Sequence, residues 1–127
     1  MDFEALATKY AAELSYIDAL FQREGISYNR DDMLIAIDGA WRAIASYMWI
    51  DYSNLTDDYH NAVIRLAIAY YNNNQIVKGN LQGVLRYSQV VEAKRSFSLH
   101  SNVIEFDRYG LTAEVKAMLP VRKLRSL

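Results

Sequence analysis

Apolar side chains recur along the first part of this chain at steps of three and four. Phe3, Leu6, Tyr10, Leu14, Ile17 and Phe21 fall on one helical face, which predicts a first helix closed by Gly25. A second series, Met33, Ile37, Trp41, Ile44 and Met48, follows Asn29 and Asp31. Either residue suits an N-cap, because its side-chain oxygen accepts a backbone N–H that the first helical turn leaves unpaired. The pattern predicts a helix over about 31–50, with Gly39 marking the close approach of a neighbouring helix. Thr56 supplies a further cap, and Asp57 and Asp58 put negative charge where a helix dipole is positive, so a third helix is expected from there to about Asn74. Between Ala62 and Tyr71 it carries a single charge, Arg65. A helix apolar on more than one side lies at the centre of its domain or under a neighbouring subunit, and here a mixture of both is expected.

The pattern changes near Gly79. Asn72, Asn73 and Asn74 interrupt the helical period, and Gly79 and Gly83 bracket a turn region. From Val90 to Leu99 the side chains tend to alternate, with Val91, Ala93, Phe97 and Leu99 set against Glu92, Lys94, Ser96 and Ser98, and a hairpin resuming at Val103 to Phe106 satisfies that alternation. An isolated hairpin is marginally stable, so this one is expected to lie on the bundle or to pair with another chain. Thr112 then caps a short helix with Val115 and Leu119 facing inward and Pro120 ending it. The fold class expected is mainly α, a small bundle of three long helices plus a short C-terminal helix, with an extended or β-hairpin insertion between the third and last helices. Residues 1–127 form one domain, divided into a helical core (1–78), the insertion (79–110), the short helix (111–120) and a basic tail (121–127).

Charge divides at the same place as the pattern. Residues 1–77 hold 11 acids against 5 bases, a balance of −6, and residues 78–127 hold 9 bases against 4 acids, a balance of +5. The net charge of −1 therefore conceals a dipolar molecule, suited to copies that dock head to tail. With 52% hydrophobic and 23% charged residues the chain is globular rather than disordered, and it has no apolar run of the ~20 residues a membrane span needs. A soluble protein made and kept in a cytoplasm is expected, since the first residues lack the basic start and apolar stretch of a secretion signal. The absence of cysteine excludes disulfides, thiolate chemistry and cysteine-containing zinc sites. Ten tyrosines, each an apolar ring with a water-tolerant hydroxyl, suit the edges of the bundle and surfaces buried against another protein.

Catalysis finds little support. His60 lies within a helical turn of Asp57 and Asp58, a pairing that would in principle hold a metal or act as a base, but acids in a first turn more commonly serve the helix dipole. Asp31 and Asp32 read the same way. The serines Ser96, Ser98 and Ser101 have no nearby base with an orienting acid, and the five glycines never cluster into a phosphate loop. No catalytic, cofactor or metal site is assigned, and no enzyme activity is expected. Arg65 is the one charge on a buried-looking face: enclosed, it requires a carboxylate such as Asp38 or Asp51, and otherwise its stem packs while its head reaches water. The basic residues of the second half, among them Arg86, Lys94, Arg95, Arg122, Lys123 and Arg125, are spread out rather than gathered on one reading helix. They suit an acidic protein ring, or weak contact with a phosphate backbone, better than base readout.

The order of these elements resembles the head-tail connector, or adaptor, proteins of tailed bacteriophages. The resemblance rests on four features: a helix beginning at Asp31 and Asp32; the core helix 61–72 (Asn-Ala-Val-Ile-Arg-Leu-Ala-Ile-Ala-Tyr-Tyr-Asn); a glycine-flanked insertion; and the closing run 111–120 (Leu-Thr-Ala-Glu-Val-Lys-Ala-Met-Leu-Pro) followed by Val121, Arg122, Lys123, Leu124 and Arg125. It covers roughly residues 31–127. It implies a non-enzymatic virion subunit, assembled in the bacterial host cytoplasm, that forms a dodecameric ring under the portal protein. Such a ring extends the DNA channel, touches passing DNA weakly and offers a surface to the next neck or tail-completion protein, with no membrane, metal or cofactor involved. Carried over by position, the insertion with Arg86, Tyr87, Lys94 and Arg95 would reach the channel or a neighbour, and Arg122, Lys123, Leu124 and Arg125 would dock on the portal or an adjoining subunit. The competing expectation is a small helical nucleic-acid-binding or regulatory protein that uses the basic half directly.

Overall fold

The structure, a computed structural model, describes residues 2–50, 59–79, 84–85 and 104–119. Its described elements are five helices: α1 (Phe3–Lys9), α2 (Ala11–Arg23), α3 (Arg30–Met48), α4 (His60–Val77) and α5 (Ala113–Met118). The chain is mainly helical, as its periodicity requires. The expected hairpin residues 90–103 lie outside the described residues; Ile104 to Asp107 runs without strand pairing, and no strand occurs among the described residues.

The first helix departs from expectation. Its apolar series is continuous, yet the helix breaks at Tyr10, whose backbone (φ −109°, ψ 30°) leaves the helical range. Tyr10 is buried and its hydroxyl donates to Asp38 Oδ1 on α3 at 2.6 Å, so a tertiary hydrogen bond fixes the residue at which the helix bends. Hydrogen bonds from Tyr10 N to Leu6 O (2.9 Å) and Leu14 N to Tyr10 O (2.9 Å) carry the ladder across the bend. Asp2 caps α1, and the Glu4 carboxylate meets Arg30 at 2.7 Å, an exposed pair that water and salt screen.

Helix α3 is capped by Asn29, whose side-chain oxygen accepts from Asp32 N at 2.9 Å, and Asp31 and Asp32 occupy its first turn. It packs chiefly against α4, and the two supply most of the core: Met33, Leu34, Ile37 and Ile44 face Val63, Leu66 and Ile68, with Ile17 and Phe21 of α2 closing one side. Each such side chain stabilises the fold by about 1.5–3 kcal/mol through burial. Gly39 lies against the Tyr70 ring of α4, but a Cβ there would sit 3.6 Å from it, in ordinary contact, so this approach does not require glycine.

Helix α4 is described from His60, so the expected cap at Thr56 lies outside the described residues. Its far end corrects a second expectation. The Asn72–Asn74 run does not stop the helix, which continues to Val77 and is closed by Gly79 at φ +82°. Asn72 stays helical because its buried amide is fully used: Nδ2 donates to Leu85 O at 2.7 Å and Oδ1 accepts from Leu85 N at 3.1 Å. Tertiary hydrogen bonding here outweighs the preference of asparagine for turns.

The last helix follows the expected design with tighter bounds. Thr112 Oγ1 accepts from Val115 N at 3.1 Å, and Val115 and Leu119 are buried. Leu119 is extended (φ −86°, ψ 152°), as a residue before proline should be. Among the described residues no helix is long and apolar enough to cross a membrane. The tyrosines largely edge the bundle: Tyr28, Tyr47, Tyr59, Tyr70 and Tyr109 pack half-buried on the core, and Phe21, Tyr28 and Tyr71 form a cluster with centroids 5.1 to 6.4 Å apart.

Candidate functional site

The segment 104–119 is tied to α4 and α3 by a dense set of polar and aromatic contacts. Asp107 and Gly110 are the first and fourth residues of a turn, with Gly110 N donating to Asp107 O at 2.9 Å. Asp107 Oδ1 accepts from Tyr109 N at 2.8 Å and Leu111 N at 3.0 Å, while Lys116 Nζ lies 2.7 Å from Oδ2. Burial of the Asp107 carboxyl works to raise its pKa, but the hydrogen bonds from Lys116, Leu111 and Tyr109 together outweigh it and hold the group at about 2. The contact with Asp107 also raises the pKa of the Lys116 ammonium. Tyr70 of α4 donates to Gly110 O, and its ring packs at a tilt against Phe106, with centroids 5.2 Å apart. Burial, with the Asp107 charge nearby, pushes the Tyr70 phenol up to about 12, so it remains a donor throughout the neutral range. Tyr109 meets Tyr47 of α3 at 5.2 Å.

Arg65 also belongs to this fastening. Its Nη1 lies 2.7 Å from Glu114 Oε2 of α5, with side-chain exposures of 37% and 61%. Arg65 sits at the edge of the core with its head group partly exposed, and Glu114 is its carboxylate among the described residues; Asp51, one of the two acids expected for it, lies outside them. The apolar run around it is interrupted on the side where α5 docks, which leaves the guanidinium at the surface. Asp38 instead receives Tyr10 and lies 2.9 Å from Arg42.

Beside α5 opens a groove of about 360 Å³. Helix α2 contributes Tyr16, Leu20 and Arg23, α4 contributes Asn61, Ile64 and Arg65, and α5 contributes Met118. Its lining combines apolar surface with two guanidinium groups. Tyr16 is 52% exposed and Met118 40%, unusually wet positions for large apolar side chains.

His60 is held by a residue that sequence reasoning passed over. Glu13 is only 7% exposed, and its Oε2 accepts from Trp41 Nε1 at 3.0 Å and lies 3.4 Å from His60 Nε2. Its place between Tyr10 and Ile17 on the apolar face of α2 was a visible signal of burial. Asp57 and Asp58, the partners considered for His60, lie outside the described residues, as do Arg86, Tyr87, Lys94 and Arg95 of the insertion and Arg122, Lys123, Leu124 and Arg125 of the tail. Among the described residues no group of three or more histidine, aspartate or glutamate side chains is arranged to hold a metal.

Set against known protein families, curated proteins and solved structures, the chain returns no match.

Proposed function

We propose that this chain is a structural adaptor subunit of a tailed-phage neck, assembling as a ring under the portal, extending the DNA channel and bridging capsid to tail. The observation that carries the reading is the packing of α5 on α4. Two of the segments that carry the resemblance, 61–72 and the described part of 111–120, lie against one another through Arg65 and Glu114 and through buried Val115 and Leu119, with Tyr70 also donating to Gly110 just before the second segment. Buried Leu119 holds the point from which the basic tail departs. An adaptor that reaches a partner through its terminus needs such a fixed origin, because a tethered segment gains affinity when its root is positioned.

Direct binding of nucleic acid by the basic half has less to recommend it. Of the described bases there, Lys78 pairs with Asp32 at 3.6 Å, Lys116 pairs with Asp107, and Arg108 lies over the Tyr109 ring at 5.1 Å. The remaining six bases lie outside the described residues; on the adaptor reading DNA contact by the free subunit is weak and salt-sensitive, because each firm phosphate contact would add friction to DNA moving through the channel.

The test is electron microscopy of the full chain mixed with a candidate portal. Stacked rings are expected, with attachment reduced in the triple variant Arg122→Ala, Lys123→Ala, Arg125→Ala. Tight, salt-resistant DNA binding by the free subunit, or normal mounting of the triple variant, would sink the reading.

A further inference from the structure

We propose that the groove between α2, α4 and α5 receives the α3 face of a second copy of this chain, with Ile35 seated beside Tyr16 and Met118 and Asp31 meeting Arg23. This rests on the ring reading and deepens it by naming the two surfaces that meet. The groove specifies its occupant through its lining. Its apolar walls and exposed rim call for an apolar side chain. Its two guanidiniums call for carboxylate, and they are not equivalent. Arg65 is held by Glu114, whereas Arg23 has no carboxylate within 4 Å among the described residues. The chain's own tail, with Arg122, Lys123 and Arg125, carries the wrong sign to fill it.

A complementary patch exists on α3. The large apolar side chains exposed among the described residues are Tyr16 and Met118 at the groove, and Ile35, Trp49 and Val77 elsewhere. Of the latter three, Ile35 has carboxylates one turn away on its own helix: Asp31 four residues before, Asp32 three before and Asp38 three after. Trp49 and Val77 have none at those spacings on theirs. Asp32 is engaged by Lys78 and Asp38 by Arg42 and Tyr10. Asp31 is the most available, because Arg30, 3.7 Å away, directs its guanidinium to Glu4 at 2.7 Å. Neither Ile35 nor these acids line the groove. Patch and groove are therefore different surfaces of one subunit, and their pairing is heterologous, the type of contact that closes into a ring when the rotation between copies allows. Charge complementarity of this kind sets register and partner choice.

Charge reversal tests the pairing. In sedimentation equilibrium of the full chain, Arg23→Glu and Asp31→Arg should each weaken self-association at least tenfold, and the double variant should recover to within threefold of the parent. Recovery cannot arise inside one chain, where the two residues form no ion pair. Because the protein has no cysteine, a second test uses an equal mixture of Ile35→Cys and Met118→Cys; oxidation should give the mixed disulfide dimer well above the twofold excess over each self-dimer that random pairing produces. Absence of recovery in the double variant, a mixed dimer no more abundant than the twofold excess of random pairing, or an Arg23→Glu variant that loses thermal stability while associating normally would overturn the inference. A parent chain that stays monomeric at millimolar concentration would also overturn it. Rings that mount on a portal regardless of both charge variants would remove this interface and leave the adaptor reading standing, whereas a chain that neither associates nor mounts would remove both.

Discussion

Replacing Gly110 by alanine probes the fastening of the C-terminal segment at its tightest point. Gly110 has φ +82°, a left-handed conformation that costs an L-residue with a Cβ about 1 kcal/mol. A Cβ there would also lie 2.8 Å from the Tyr70 hydroxyl, closer than atoms approach without displacement. That hydroxyl is not free to give way, because it donates to Gly110 O and its ring packs at a tilt against Phe106. Moving it forfeits a hydrogen bond of about 1 kcal/mol and part of an aromatic contact of about 0.5–1.5 kcal/mol. The expected loss for Gly110→Ala is therefore about 2–4 kcal/mol, on the order of 10 °C in Tm for a chain of this size. Urea unfolding followed by circular dichroism measures it. The double variant Gly110→Ala, Tyr70→Phe separates the causes: with the hydroxyl gone only the backbone cost remains, so the two changes together should cost at least ~1 kcal/mol less than their sum. Strict additivity, or a single variant within ~0.5 kcal/mol of the parent, would refute the steric argument.

Other positions give further expectations. Asn72→Ala strands the buried N–H and C=O of Leu85, so a loss of about 2–4 kcal/mol and faster hydrogen exchange at the Leu85 amide are expected. Glu13→Ala leaves the Trp41 indole N–H without its acceptor; unfolding measurements should show a loss of about 1–3 kcal/mol, with a shift in tryptophan emission. The Asp107 carboxyl titrates at about 2 in the fold, below the ~3.9 of an unfolded chain, so its contribution is complete above about pH 5 and disappears as pH falls toward 2. Solvent screening reduces that contribution to about 1 kcal/mol, and the stability gap between the parent and Asp107→Asn should close between pH 5 and pH 2.

Residues whose neighbours in sequence decide their conformation were legible. Asn29 and Thr112 cap their helices because a side-chain oxygen three residues before an N–H is a local fact, and the period of α3 and α4 follows from the face each buries. The Asp107–Gly110 turn also carried its signal, aspartate first and glycine fourth, although its role in holding α5 did not. What escaped was decided by partners far away in sequence. Tyr10 lies in phase with the apolar faces on both sides of it, so the bend there is visible only through Asp38, 28 residues on. Asn72 reads as a helix breaker until Leu85 is placed against it, and the Arg65 partner is 49 residues distant. Of the candidate groove, Ile64 lies in the apolar run read for α4, but Tyr16 and Leu20 fall off the α2 face that the periodicity picks out, and the gap itself depends on where α5 settles.

The charge asymmetry that the sequence announces is distributed in a way that bears on assembly. Among described residues from 78 onward, Lys78, Arg108 and Lys116 are balanced by Glu105, Asp107 and Glu114. The entire +5 of the second half belongs to residues 86–103 and 120–127, which hold six bases and one acid. The frame around α5 is thus electrically neutral, with Lys78, Lys116, Asp107 and Glu114 held in ion pairs, and an ion pair satisfied within the subunit contributes little to attraction of a partner. Positive charge is reserved for the stretches on either side of that frame. Loosening the frame should therefore weaken attachment by misplacing charge rather than removing it. Gly110→Ala and the triple tail variant then differ in a measurable way: the first should lower attachment together with stability, and the second should lower attachment most strongly at low salt, where unscreened charge matters most.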